Sequence, residues 1–368
     1  MKHRTSFLTM LVLWLLCIGV NVLAHVWPQA ADWYIQNAFP ALSDLWSFLT
    51  GWLPFSLGEW LIVAGLCFAA LVLVSFPLCM LLAKKRRRSV AAVYGEVCGW
   101  VLTWLFSVLT MHFFVLYQGT PLSETLGEVT YTNTEVLDAY EALVQEANAL
   151  SLEVERDDTG HMVLRDDPME EAKACMQRLG GTYPQYVAYY PDAKAIHHAY
   201  FFTQQGLLGI YYPFTMEANY NPAMYDVNLP VTLCHEYTHL RGNIFEDEAG
   251  YYAYKACMTS ADPQFRYSAL VSVLGWLELD LGDDAAAQER LQEIDASMEP
   301  GLCTDMYSFV PAEYIETHAD EEILPTSLVS EVADTVMDTS LKVNGVSDGI
   351  HSYHGLTALV LHDRLGGE

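Results

Sequence analysis

The stretch His235-Glu236-Tyr237-Thr238-His239 places two imidazoles four residues apart, with a carboxylate directly after the first. On a helix, residues i and i+4 share a face, so both rings would meet one cation and Glu236 would lie close enough to act on water bound to it. This spacing is the signature of a zinc hydrolase. A catalytic zinc takes three protein ligands and leaves one position for water, so a third donor has to come from a neighbouring element. The nearest are Glu246, Asp247 and Glu248. On one unbroken helix Glu248 would lie about 13 Å beyond His239 and roughly half a circle round. The chain must therefore break, and Gly242-Asn243 supplies a helix stop at the right place.

Spacing alone leaves all three acidic residues available as the third donor. If a second helix starts near Ile244, Phe245, Glu248, Ala249 and Tyr252 share its apolar face by i+3 and i+4 spacing. A carboxylate in a core-facing apolar stripe is costly unless it is paired or binds a metal, whereas an exposed first-turn acid suits Glu246 and Asp247. The expected ligand set is thus His235, His239 and Glu248 around one Zn2+ ion, with Glu236 as general base.

The elements that position these residues carry a resemblance. Gly209-Ile210-Tyr211-Tyr212-Pro213-Phe214-Thr215, Glu217-Ala218-Asn219, CHEYTHLRG and EDEAGYYAY follow one another in this order. Together they resemble a bacterial family of membrane-anchored proteins known as a domain of unknown function with a zincin motif, patterned PFTxEAN, HExxHxxG and EDEANFxAY. The resemblance covers about residues 180 to 260, and the three-helix amino-terminal layout agrees with it. The EDEA segment is similar to that of phage anti-repressor peptidases, where the carboxylate before Ala-Asn binds the metal; this implies Glu248, with Gly250 standing where those families have Asn. The resemblance also implies a gluzincin-like metallopeptidase in which the strand before the metal helix holds the substrate backbone. Leu207, Gly209 and Tyr211 occupy that strand here. Glu217 and Asn219 either line the cleft or cap a turn. Several zincin families recruit a late Tyr or His to polarise the scissile carbonyl, which brings in Tyr353 and His354.

Composition divides the chain in two. Of 368 residues, the first 117 carry seven basic and four acidic side chains, and the remainder eleven and forty-two. So acidic a second part would repel phosphate backbones, which argues against nucleic acid as a partner. Apolar runs predict membrane helices at about 7–24, 55–83 and 93–117, within a membrane region 1–119. A Trp-rich outer loop, 25–54, and a basic cytoplasmic loop, 84–92, connect them; the first run also fits a signal peptide. Lys84-Lys85-Arg86-Arg87-Arg88 between two spans sets the topology by the positive-inside rule, so residues 120–368 are expected outside the cytoplasm. The predicted fold class is α+β: three transmembrane helices, then a mostly helical zincin-like domain with a small sheet in residues 183–219. Cys175, Cys234, Cys257 and Cys303 are open to disulfides or free thiols, since no CxxC spacing is present.

The expected protein is a multi-pass membrane metallopeptidase whose partners are the lipid bilayer and a peptide or protein substrate. The rival reading is a catalytically inactive zincin-fold metal sensor or scaffold of the cell envelope; a second rival is a fortuitous HExxH in an ordinary core helix. Oligomeric state and cleavage specificity have no signature in these residues.

Overall fold

The computed structural model describes residues 2–126, 130–344 and 354–366. Three of its helices are long and apolar enough to cross a membrane: α1 (Lys2–Val26), α4 (Leu57–Leu82), and a composite that begins at the basic run and continues through α5 (Arg87–Leu109). The first and third lie side by side, joined by Trp14 Nε1 to Thr103 Oγ1 (3.0 Å) and Asn21 Nδ2 to Thr110 Oγ1 (3.1 Å). Thr110–Phe114 forms a π-helical turn after α5. A buried His112 in that turn bonds through Nδ1 to the carbonyl of Pro213 (2.8 Å), so the third span runs directly into the rest of the molecule.

The expected outer loop at 25–54 is helical instead. It contains α2 (Pro28–Trp33), a π-helical turn Tyr34–Ala38 and α3 (Phe39–Thr50). Pro28 and Pro40 read as breakers in sequence, but each stands in the first turn of its helix, where a missing N–H costs nothing. α3 turns Phe39, Ser43, Ser47 and Thr50 inward.

Beyond the third span come α6 (Leu122–Leu126), α7 (Asn133–Ser151), which opens on a reciprocal Thr132–Glu135 capping box, and α8 (Met169–Leu179). The segment expected to hold the small sheet contains a 3-10 turn (Pro184–Tyr186), β1 (Lys194–Ala195), the short α9 (Ala199–Thr203), β2 (Gly209–Tyr212) and β3 (Glu217–Tyr220). β3 is central, parallel to β1 and antiparallel to β2 with Ile210 opposite Asn219, so β2 forms an edge. Then α10 (Leu229–His239), α11 (Glu246–Met258) and α12 (Pro263–Trp276) pack together as the core of the domain. α13 (Ala285–Ala296), α14 (Pro300–Asp305), α15 (Ala312–Thr317), α16 (Thr326–Val343) and α17 (His354–Arg364) complete a mostly helical chain. The eight cysteines are free thiols; Cys234 of α10 and Cys257 of α11 lie buried with their sulfurs 3.5 Å apart.

Candidate metal centre

α10 carries the HExxH and ends as its sequence requires. His239 is the last residue of the helix, Leu240 caps it, and Gly242 adopts φ +89, the left-handed conformation that glycine reaches without strain. The chain then extends through Phe245 and begins α11 at Glu246, two residues later than the sequence suggested.

That start decides which carboxylate meets the imidazoles. Side chains lean toward the amino end of their helix, so the first residue of α11 projects back at α10. Glu246 Oε2 lies 3.0 Å from His235 Nε2 and 3.8 Å from His239 Nε2, and the two imidazole nitrogens are 3.2 Å apart. His235, His239 and Glu246 are the group of potential ligands that gathers among the described residues. Glu248 does not join it. Its carboxylate accepts the backbone N–H of Leu122 (2.5 Å), the segment that follows the third span. The sequence argument that a buried Glu248 needs a partner holds, but the partner is a backbone amide and the face it occupies looks away from the imidazoles. Asp247 accepts the N–H of Glu248 (2.9 Å) within the same first turn. Gly250 faces Leu356 of α17, not the centre.

Spacing and protonation suit a cation here. Three ligand atoms around one tetrahedral zinc, at roughly 2.0–2.2 Å each, stand about 3.3 Å apart, and the three observed separations bracket that value. His239 Nδ1 donates to the carbonyl of Asn243 (2.7 Å), which fixes the tautomer that leaves a lone pair on Nε2 facing the other two groups. Burial pushes the pKa of His239 down to about 4, with the charge of His235 adding to that effect. For His235 burial acts downward too, but the hydrogen bond and charge of Glu246 outweigh it and its pKa is raised. Burial opposes ionisation of Glu246, yet the two imidazoles hold its pKa below the ordinary value. Without a cation a proton is therefore held more readily on His235 than on His239.

Glu236 sits beside this group and is not part of it. Burial, reinforced by Glu246, pushes its pKa up to about 8 against the pull of His235, and its Oε2 has no hydrogen-bond partner among the described residues. Its carboxyl lies over Gly209 of β2, where a Cβ would come 2.8 Å from Cδ of Glu236. Leu208 O accepts Asn221 N (2.7 Å), so pairing alternates along β2. Leu208, Ile210 and Tyr212 bond to β3, while Gly209 and Tyr211 turn their N–H and C=O to the open edge. The Tyr211 ring centre is 6.1 Å from that of His239.

The remaining candidates fall elsewhere. Leu207 packs on the opposite side of the sheet with Ile196, Phe202 and Tyr212. Glu217 is buried under the start of α4, accepting the N–H of Leu57 (3.1 Å) and Gly58 (2.7 Å) and pairing with Lys194 Nζ (2.5 Å). Asn219 is buried and donates to the carbonyls of Ile210 (3.2 Å) and Glu217 (2.9 Å). Neither lines the centre. Tyr353 and the side chain of His354 lie outside the described residues.

A family model described as a protein of unknown function (DUF3810) matches residues 34–361. The chain belongs to that family. The match extends well beyond the motif region at 180–260 and takes in α3, α4 and the third span along with the helical domain, so membrane and motif segments form one family unit. No curated protein and no solved structure matches the chain.

Proposed function

We propose that this protein is a membrane-anchored zinc-dependent peptide hydrolase with His235, His239 and Glu246 as metal ligands. The observation that carries the reading is the convergence of two Nε2 atoms and one carboxylate oxygen at the separations a single tetrahedral ion demands, with an unpaired, buried Glu236 carboxyl beside them. A zinc ion held there would supply a water of lowered pKa and a Lewis acid for the scissile carbonyl. Glu236 would take a proton from that water and deliver it to the leaving amine; an ordinary carboxylate is too weak a base for this, and burial strengthens it. The open edge of β2 would hold an extended peptide by main-chain hydrogen bonds to Gly209 and Tyr211. Asn243 would keep His239 in its ligating tautomer.

Metal analysis of the purified full chain, with cleavage of a peptide library, tests this. One zinc per chain and chelator-sensitive cleavage are expected. Glu236→Gln should keep the zinc and reduce cleavage by roughly 10²–10⁴-fold, the usual scale for losing a general base. Zinc without cleavage would favour the sensor reading, and wild type that takes up no zinc would sink both.

A further inference from the structure

α3 has two unlike faces. Inward, Ser43 Oγ donates to the carbonyl of Leu240 (2.5 Å), Asp44 pairs with Arg241 (2.8 Å), and Phe39 lies against Gly242, all within three residues of the ligand His239. Outward, Leu45, Phe48 and Leu49 follow one another at i, i+3 and i+4, Trp52 stands in the turn just past the helix end, and the four are 54, 71, 49 and 76 % exposed. Both ends of this segment are tied to membrane-crossing helices, since α1 ends at Val26 and α4 begins at Leu57. Exposed Trp27 and Trp33 stand at one end and Phe55 and Trp60 at the other, the side-chain types that settle at the membrane surface. A helix held at both ends by spans, with an aromatic and leucine stripe on one side, has the bilayer surface as its continuous neighbour.

The inner face of the same helix packs on the turn that directly follows His239, and this sets the height of the centre. A helix with its side chains is about 10–12 Å across. The headgroup layer on each side of the hydrocarbon is roughly 5–8 Å thick. The centre therefore stands about one helix diameter above the apolar stripe, at or just beyond the headgroups. An extended chain covers about 3.3 Å per residue, so about four residues reach from the acyl boundary to the centre.

We propose that the face from Leu45 to Trp52 is seated in lipid and that the centre acts on polypeptides anchored in the same membrane, cutting within a few residues of where they leave it. The seating rests on the fold alone; the substrate class rests in addition on the hydrolase reading. A soluble peptide would reach the same edge strand without the gain in effective concentration that a shared surface confers.

Two measurements on the full chain in phospholipid vesicles test it. A photoreactive benzophenone residue in place of Phe48 should yield an adduct with the mass of one phospholipid, and the same residue in place of the exposed Leu152 should not. A protein cross-link at position 48, or no lipid adduct there, would overturn the seating. Next, a peptide cleaved from the library is joined to an acyl chain through spacers of about 2, 6 and 20 residues. The shortest workable spacer should be cut with an apparent KM about tenfold or more below that of the free peptide, the advantage fading at the longest. Phe48→Asp with Leu49→Asp, which expels the stripe from lipid, should move the optimum to a longer spacer. Cleavage indifferent to spacer and anchor would refute the substrate class. No cleavage of free or anchored peptide would sink the hydrolase reading and the substrate class with it, while the adduct at position 48 still decides the seating.

Discussion

Two carboxylates two residues apart do different work in α11, and substitution should separate them. Glu246→Ala removes a donor 3.0 Å from His235 and should abolish stoichiometric zinc, whereas Glu248→Ala should leave zinc content near that of wild type. The second change instead orphans the N–H of Leu122, costing about 1–3 kcal/mol of stability, seen as a lower melting temperature. Zinc retained in Glu246→Ala and lost in Glu248→Ala would restore the assignment read from sequence. The HExxH helix and its stop at Gly242 were legible. What was hidden was the partner of the buried acid, an amide 126 positions earlier in the chain, which no periodicity within α11 encodes. Protonation gives a second test. Because a proton on His235 must leave before both imidazoles can bind, and its pKa is raised, zinc affinity should begin to fall with pH above the ordinary imidazole range, by about tenfold per unit once His235 is protonated. Titration from pH 8 to 5 measures this; an affinity flat down to the ordinary imidazole range would contradict the raised pKa of His235.

At the level of elements, the centre is a contact between a helix and a glycine on an edge strand. Gly209 is required for closeness rather than for its backbone angle, since any Cβ there would overlap the Glu236 carboxyl and Thr232. Gly209→Ala should therefore displace the proposed base while sparing the three ligands. Its expected signature is wild-type zinc with cleavage reduced at least tenfold, read by metal analysis beside kcat/KM; unchanged cleavage would show that the contact is idle. The order of strand, metal helix and acidic helix could be read from the chain, and so could the three apolar spans and the amphipathic α7. The sheet was over-read, because Tyr, Val and Phe in residues 183–208 fill the core from turns and the short α9 as readily as from strands. Residues 25–54 were under-read for the opposite reason. A sequence rich in Trp and Pro suggests a loop, yet its Ser43, Ser47 and Thr50 recur on one helical face and meet the domain, a pattern of small polar residues that hydropathy does not score.

At the level of the whole molecule, the boundary at 119/120 suggested by charge is crossed by buried polar contacts. Glu217 caps α4 through Leu57 and Gly58, and Lys194 donates to Thr50 O (2.7 Å). Arg241 pairs with Asp44, and Ser43 donates to Leu240 O. Glu59, from the first turn of α4, accepts the backbone N–H of His197 (2.9 Å) and His198 (2.8 Å). Charge composition separates the apolar helices from the acidic remainder, but it does not mark where the core ends. A fragment 120–368 would remove these partners of Leu240 O and of the His197 and His198 N–H groups, and would leave Glu217, Lys194 and Arg241 with part of their bonding; each group left unmatched costs about 1–3 kcal/mol, against a total stability of about 5–15 kcal/mol for a typical domain. Water would reach some of these groups and soften the loss, but the same cut takes away His112, whose carbonyl the buried Tyr211 hydroxyl contacts. It also removes the carboxylate that pairs with Arg241, two residues beyond the proposed ligand His239. The fragment should therefore show no cooperative melt and hold well under one zinc per chain, while the full chain in detergent holds one. A fragment that melts cooperatively within a few degrees of the full chain, with zinc bound, would show that the domain closes on itself and that the membrane helices serve as an anchor alone.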